Sequence, residues 1–366
     1  MTYDGALILS GSIGRGHDSV AQACRVALAG YGLEARTVDC MELLGGAASR
    51  AGTAAFRRMI SVPTVYDGFH FSHLRTGSRL ARVLDWSANR RLVPVVERLV
   101  GRGDQLLVSV FPTGVSAAAS LKQRSARITA VAVCTDAGAH RMWVAHGTDL
   151  YVVCSPLAAA TVRRYDARAA IRVIPPPVRP EIFEAPDRAA ARASLGLPAG
   201  EPCVLLMAGG WGLGPLAEAA EALVDRGYRV LAVAGANRRL HRRLRSLAAG
   251  RRGRLVAFGT TDRIPELMAA ADGVVTTPGQ TCHEARVLGR WLVVLDVVPG
   301  HGRENAIHEL AAGGALACSP DAGSVAGAVG VMFDEQPDMP PWPVSSAAEW
   351  EKQFVDALAS VGAAPG

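Results

Sequence analysis

The stretch from Gly5 to Gly30, "GALILSGSIGRGHDSVAQACRVALAG", decides how this chain begins to fold. An apolar run, Ala6 to Leu9, enters a loop holding Gly11, Gly14 and Gly16, and a helical pattern leaves it with Val20, Cys24, Ala27 and Leu28 on one face. The order is strand, glycine loop, helix. A dinucleotide fingerprint of the form G-x-G-x-x-G would need a further glycine where the chain has Ser19. The pattern present is G-x-x-G-x-G-H. Its glycines let a ligand come close to the backbone, and the helix start behind them favours an anion or a polar group. His17 adds a titratable tool.

The same grammar runs through the rest of the chain. From residue 5 to about 177, apolar strand-like runs ("ALILS", "EARTVDC", "LLVSVF", "ITAVAVCTD", "LYVVC", "IRVIPPP") alternate with helical segments. After the proline-rich "PPPVRPEIFEAPDRAAARASLGLP" the alternation restarts with "CVLLMAGG", "YRVLAVAG", "RLVAFGT", "GVVTTP", "WLVVLDVV" and "ALACS". Strands alternating with helices imply parallel sheets with right-handed crossovers, hence two doubly wound, Rossmann-like α/β domains joined near 175–190. Ligands of such sheets sit beyond the carboxyl ends of the strands, and two such domains facing each other make a cleft. A second glycine loop, "GGWGLG" at 209–214, follows the first strand of the second half and feeds a helix opened by Pro215.

Bulk properties set limits. With 366 residues, 49% hydrophobic and 20% charged, the chain is an ordinary globular sequence. Its apolar runs fall short of the roughly 20 residues of a spanning helix, and no signal peptide opens it, so a cytosolic protein is expected. Seven cysteines without a C-x-x-C pair indicate neither a disulfide framework nor a zinc site. The net charge of +6 is carried almost wholly by arginine, Lys122 and Lys352 being the only lysines. Residues 50–102 hold ten arginines against Asp67, Asp85 and Glu97. Such a basic, locally amphipathic segment suits anionic lipid head groups or nucleic acid, with an ordinary solvated helix face as the alternative.

Several motifs in series resemble the nucleotide-sugar glycosyltransferases of GT-B architecture, in the branch of the monogalactosyl- and glucosyl-diacylglycerol synthases and the lipid II-forming transferase. "SGSIGRGHDSVAQA" is similar to S-x-S-x-G-x-G-H-x-x-A-A, and "TDAGAHRMWV" to T-D-x-x-x-H-x-x-W through Thr135, Asp136, His140 and Trp143. "PPPVRPEIF" is similar to the interdomain G-I-P-I-R-P-x-F segment. "FGTTDRIPELMAAADGVVTTPG" and "TCHEARVLGRWLVVLDVVPG" follow the donor-domain signature. The resemblance implies an N-terminal acceptor-binding domain, 1–178, and a C-terminal UDP-sugar-binding domain, 179–366, with the last helix expected to pack back on the first.

It also implies roles. An inverting transfer from UDP needs a base for the acceptor hydroxyl and charge stabilisation for the departing diphosphate. No metal-holding D-x-D occurs in the chain. The helix start after Gly209, Gly210, Gly212 and Gly214 is therefore the expected stabiliser, with no cofactor besides the UDP-sugar substrate. Glu284 is expected on the ribose hydroxyls, with Gly279, Gln280 and Thr281 beside it, and Phe258, Thr260 and Thr261 lining the uracil. The family's P-G-Q-E-x-G-N is altered here to Pro299-Gly300-His301-Gly302-Arg303-Glu304-Asn305, so His301 and Asn305 are the expected sugar contacts, and a changed sugar or an altered way of holding it follows. On the acceptor side, His17 is expected as the base or as an acceptor-orienting group, with Asp136 either competing for the base role or orienting the imidazole. Gly14, Gly16, His140 and Trp143 would line the acceptor entrance, although Trp143 equally suits a core.

The resemblance points to a lipid acceptor taken from the inner membrane face by a peripheral protein docking through 50–102, and away from nucleic acid. Rival readings are a transferase with a soluble acceptor, a GT-B-fold sugar-nucleotide epimerase, an NAD-type oxidoreductase using Asp39 at the end of the second strand, and a non-catalytic binding protein.

Overall fold

The computed structural model describes residues 3–11, 16–45, 62–207, 214–251 and 253–362. Gly14, Gly209, Gly210, Gly212 and the 50–61 part of the basic segment lie outside them. The chain divides into two compact units, 1–178 with 346–366, and 179–345.

The first unit is a parallel sheet in the order β2-β1-β3-β4-β5-β6. Its strands are β1 (Gly5–Ser10), β2 (Ala35–Asp39), β3 (Gln105–Ser109), β4 (Ile128–Cys134), β5 (Leu150–Val153) and β6 (Ile171–Val173). The central strands are mostly apolar because helices cover both faces, and every residue of β3, β4 and β5 is buried, the polar Gln105, Ser109 and Thr129 included. One core gathers Leu7, Leu9, Leu107 and Leu121 with Leu92, Val93 and Val96 of the helix Arg79–Leu99. A second, on Trp143 and Tyr151, lies under the helix Pro156–Tyr165. Helix starts are fixed locally, Ser78 accepting from Ala81 N and Ser155 from Ala158 N.

The second unit has the order β12-β11-β10-β7-β8-β9. Here β7 is Cys203–Met207, β8 Arg229–Val233, β9 Leu255–Phe258, β10 Gly273–Thr276, β11 Trp291–Leu295 and β12 Ala315–Cys318. One core of Val204, Leu206, Leu223, Val230, Val293 and Val329 fills it.

Residues 346–366, counted by sequence position with the 179–366 domain, belong with the first unit. The helix Ala347–Ala359 packs on the helix Gly16–Gly30, buries Trp350, Phe354 and Leu358, and Trp350 Nε1 donates to Pro175 O at 2.8 Å. Its apolar stripe needs a partner face, and the first unit supplies one.

Candidate functional site

In the first sheet the strand order reverses between β1 and β3, where a doubly wound sheet opens a crevice beyond its carboxyl ends. Gly11, leaving β1, and Phe111, leaving β3, meet there. A Cβ on Gly11 would stand 2.5 Å from Phe111 Cγ, so only glycine admits that ring. The helix Gly16–Gly30 starts on this spot with His17 in its first turn. Gly16 is exposed there, and a Cβ on it would meet nothing within 4 Å. His17 Nδ1 lies 2.8 Å from Val110 O. A carbonyl only accepts, so Nδ1 carries the proton and Nε2 keeps its lone pair. Phe111 stands edge-on to the imidazole at 5.2 Å, and Trp143 lies at 6.4 Å. Burial pulls the His17 pKa below its ordinary 6.5, against the opposing pull of the Asp136 charge and the Val110 hydrogen bond. The ring is therefore neutral near pH 7, with a basic nitrogen available.

Asp136 follows β4 by two residues. Its Oδ2 accepts from Trp143 Nε1 at 2.8 Å and lies 3.9 Å from His140 Nε2. A short 3-10 turn, Arg141–Trp143, folds the indole back onto the carboxylate, which accounts for the spacing of Asp136, His140 and Trp143. Of the two places expected for Trp143, the entrance and the core, the structure shows the core: the indole has no exposed surface. Its polar contact is the grip on Asp136. His140 is also buried.

The second sheet reverses between β7 and β10. The glycine loop leaves β7, and of its expected site residues only Gly214 is described. From β10 the chain passes through Gly279 into the helix Gln280–Val287, and from β11 through Gly300 into the helix His301–Ala311. The N-cap residue of each is a glycine, with no side chain of its own to offer, and helix N-termini of this kind suit an anion. Glu284 sits one turn inside the first of these helices and is buried. Both of its oxygens are held by Arg179, Nε to Oε1 at 2.7 Å and Nη2 to Oε2 at 2.8 Å. Behind it, Arg286 donates to Glu309 Oε2 at 2.6 Å and to Glu309 O at 2.7 Å, tying the two helices together.

His301 and Asn305 are half-buried in the first turns of the second helix. Gly302 between them is dictated by packing, since a Cβ there would fall 2.5 Å from Val298 Cβ. Phe258 ends β9 at the sheet edge, with Thr260 exposed and Thr261 Oγ1 accepting from Arg263 N at 3.1 Å.

The sites and the cavities differ in place. A 220 Å³ cavity beside the Arg141–Trp143 turn is lined by Arg82, Asp85, Asn89, Ser116 and Arg141, and a 400 Å³ cavity by Phe183, Leu288, Met339 and Trp342. Of the described residues expected at the site, none is in either wall. Asp39, the acid an NAD-type reading needs, caps the helix Cys40–Leu43 by accepting from Met41 N and Glu42 N. Among the described residues no group of His, Cys, Asp and Glu is arranged to hold a metal, and no helix is long and apolar enough to cross a membrane.

Sequence reasoning missed the Val110 carbonyl and Arg179. The first is a backbone group and gives no residue signal. Arg179 lies in the "PPPVRPEIF" segment, where nothing in the sequence links it to Glu284.

Residues 17–167 match the family model described as monogalactosyldiacylglycerol (MGDG) synthase. The chain is similar to the processive diacylglycerol beta-glucosyltransferase of Bacillus subtilis (strain 168), 28% identical over 223 residues, which are 60% of this chain and 57% of that protein. It is also similar to the probable monogalactosyldiacylglycerol synthase 2, chloroplastic, of Oryza sativa subsp. japonica, 28% identical over 316 residues, 80% of this chain and 66% of that one. The matches thus span between about half and two thirds of those relatives. Among solved structures, MurG of Acinetobacter baumannii superimposes with a TM-score of 0.57 at 14% identity, covering 99% of both chains. That likeness carries the architecture, which is GT-B.

Proposed function

We propose, from the match of residues 17–167 to the monogalactosyldiacylglycerol synthase family model, that the protein moves a hexosyl group from a UDP-sugar to a hydroxyl of a membrane lipid such as diacylglycerol, with inversion and without a metal. The observation that carries this reading is the His17 imidazole, protonated on Nδ1 by its bond to Val110 O and basic at Nε2.

In the proposed reaction His17 Nε2 takes the proton of the acceptor hydroxyl as that oxygen attacks the anomeric carbon. The bond from that carbon to the diphosphate breaks on the opposite side, and UDP leaves. Asp136, held by Trp143, keeps a negative charge near the imidazole and stabilises it once protonated. That favours the orienting role for Asp136 over the base role. The departing charge falls to the positive ends of helices, including those that start behind Gly279 and Gly300. The absence of D-x-D from the sequence supports a metal-free course. Glu284 would accept the ribose hydroxyls and His301 with Asn305 the hexose. With Gly302 unable to carry an acid, the hexose would be held by different groups from those of the family pattern.

The acceptor is proposed to come from the inner face of the cell membrane. Leu80, Val83, Leu84 and Trp86 are exposed on the helix Arg79–Leu99, as are Arg79, Arg82, Arg90 and Arg91. Exposed apolar side chains interleaved with cations on one helix suit a peripheral protein on an anionic leaflet.

The test is incubation with UDP-glucose, UDP-galactose or UDP-GlcNAc and diacylglycerol vesicles, with and without EDTA, reading products by mass spectrometry. Glycosyl-diacylglycerol and UDP should appear at the same rate in both. Transfer only to soluble acceptors would replace the lipid, and failure of every uridine nucleotide to raise the melting temperature would overturn the whole reading.

A further inference from the structure

We infer that His70 is a positioning residue for the pair His140 and Asp136, and through them for His17. The helix Pro63–Phe69 runs directly into a π-helical turn, His70–Leu74, closed by Arg75 N donating to His70 O at 2.8 Å. Such turns are rare, their geometry is poorer than that of an α turn, and they concentrate at functional sites. This one turns His70 and Leu74 inward, and His70 has no exposed surface.

The His70 ring stands perpendicular to that of His140, centroids 5.9 Å apart at 89°. On another side His140 meets the Trp143 indole at 6.3 Å. Two flat rings thus fix the plane of the imidazole whose Nε2 lies 3.9 Å from Asp136 Oδ2. The turn is tied to the same loop by its backbone neighbours: Arg75 Nη1 donates to Ala139 O at 3.2 Å, and Tyr165 OH donates to Arg75 O at 2.5 Å. Ala139 precedes His140, so the turn holds both the ring and the chain that carries it. Asp136 accepts from Trp143 Nε1 at 2.8 Å, and the Trp143 indole lies 6.4 Å from the His17 ring. The series thus runs from His70 to His140 to Asp136, and through Trp143 to His17, and only the catalytic part of its last step rests on the transfer proposed above.

The test uses the full chain labelled with 15N, as wild type, H70A and H70F, read at the Nε1–H of Trp143 among the six indoles and in the transfer assay. In H70A the Trp143 resonance should move while the other indoles stay, and kcat should fall about ten-fold with the KM for UDP-sugar nearly unchanged, as expected of sub-ångström misplacement of an acid-base group. H70F restores a flat ring and should return both to near the wild-type values. A Trp143 resonance unmoved in H70A, or a shift that H70F leaves uncorrected, overturns the inference. If H70A fails to fold, H70Q, which loses the ring but keeps polarity, takes its place. If the wild type transfers no sugar, the proposed activity falls, and the indole resonance still decides the role of His70.

Discussion

Arg179 grips Glu284 by both carboxylate oxygens, at 2.7 and 2.8 Å, across 105 residues of sequence. The carboxylate is the buried partner, with a side chain 3% exposed against 37% for the arginine. Each carboxylate oxygen can accept two hydrogen bonds, so the fork leaves one direction on each for a vicinal diol while fixing the plane of both. R179A should therefore weaken UDP binding about ten-fold by calorimetry, and R179K should recover only part of it, since an ammonium cannot hold two oxygens in a plane. Unchanged UDP affinity in R179A would show that Glu284 needs no such orientation.

The pH dependence has a definite sign. Burial lowers the pKa of His17 and of His283 below 6.5, so the folded protein binds fewer protons at these sites than the unfolded chain. A group lowered on folding contributes stability above its unfolded pKa and loses it as the pH falls below. The melting temperature should hold above pH 7 and drop as the pH passes below about 6.5. Replacing His283 by Gln should flatten part of that drop. In the proposed reaction the acid limb of kcat/KM should also lie below 6.5, because the base is already neutral there. An acid limb centred above 7 would remove His17 from the base role.

Much of the architecture was legible because parallel strands buried on both faces announce themselves as unbroken apolar runs, and "ITAVAVC" is β4 from end to end. What periodicity cannot say is which surface an amphipathic helix meets. The helix Ala347–Ala359 has a clear apolar stripe, yet only the fold reveals that the stripe lies on Gly16–Gly30. The same limit applies at the site. Asp136, His140 and Trp143 are close in sequence and one turn joins them, whereas no spacing rule connects Arg179 with Glu284 or His70 with His140.

Gly302 replaces the acid of the resembled pattern, and its surroundings argue against simple reversion. With Val298 Cβ 2.5 Å from where a Cβ would stand, any side chain must push the helix His301–Ala311 away from the strand end. Overpacking of this kind costs about 1–3 kcal/mol. G302A should lower the melting temperature by several degrees, and G302E should destabilise at least as much without raising turnover. A stable G302E with increased activity would mean that Val298 yields readily and that packing does not set this position.

The face proposed for the bilayer combines two forces that respond differently to salt. Arg79, Arg82, Arg90 and Arg91 are exposed on the helix Arg79–Leu99, and Arg90 lies over the Trp86 ring at 5.5 Å. Near an anionic leaflet each arginine adds about 1 kcal/mol, so changing all four to Gln should weaken binding to phosphatidylglycerol vesicles by about 10²- to 10³-fold. That part should fade in roughly 0.5 M salt, where the screening length is only a few ångströms. Trp86 is 61% exposed, and W86A should weaken binding by about ten-fold at any salt, because its contribution is apolar area. Co-sedimentation across a salt series separates the two. Binding indifferent to lipid charge, to the four substitutions and to W86A would place the membrane contact elsewhere on the protein.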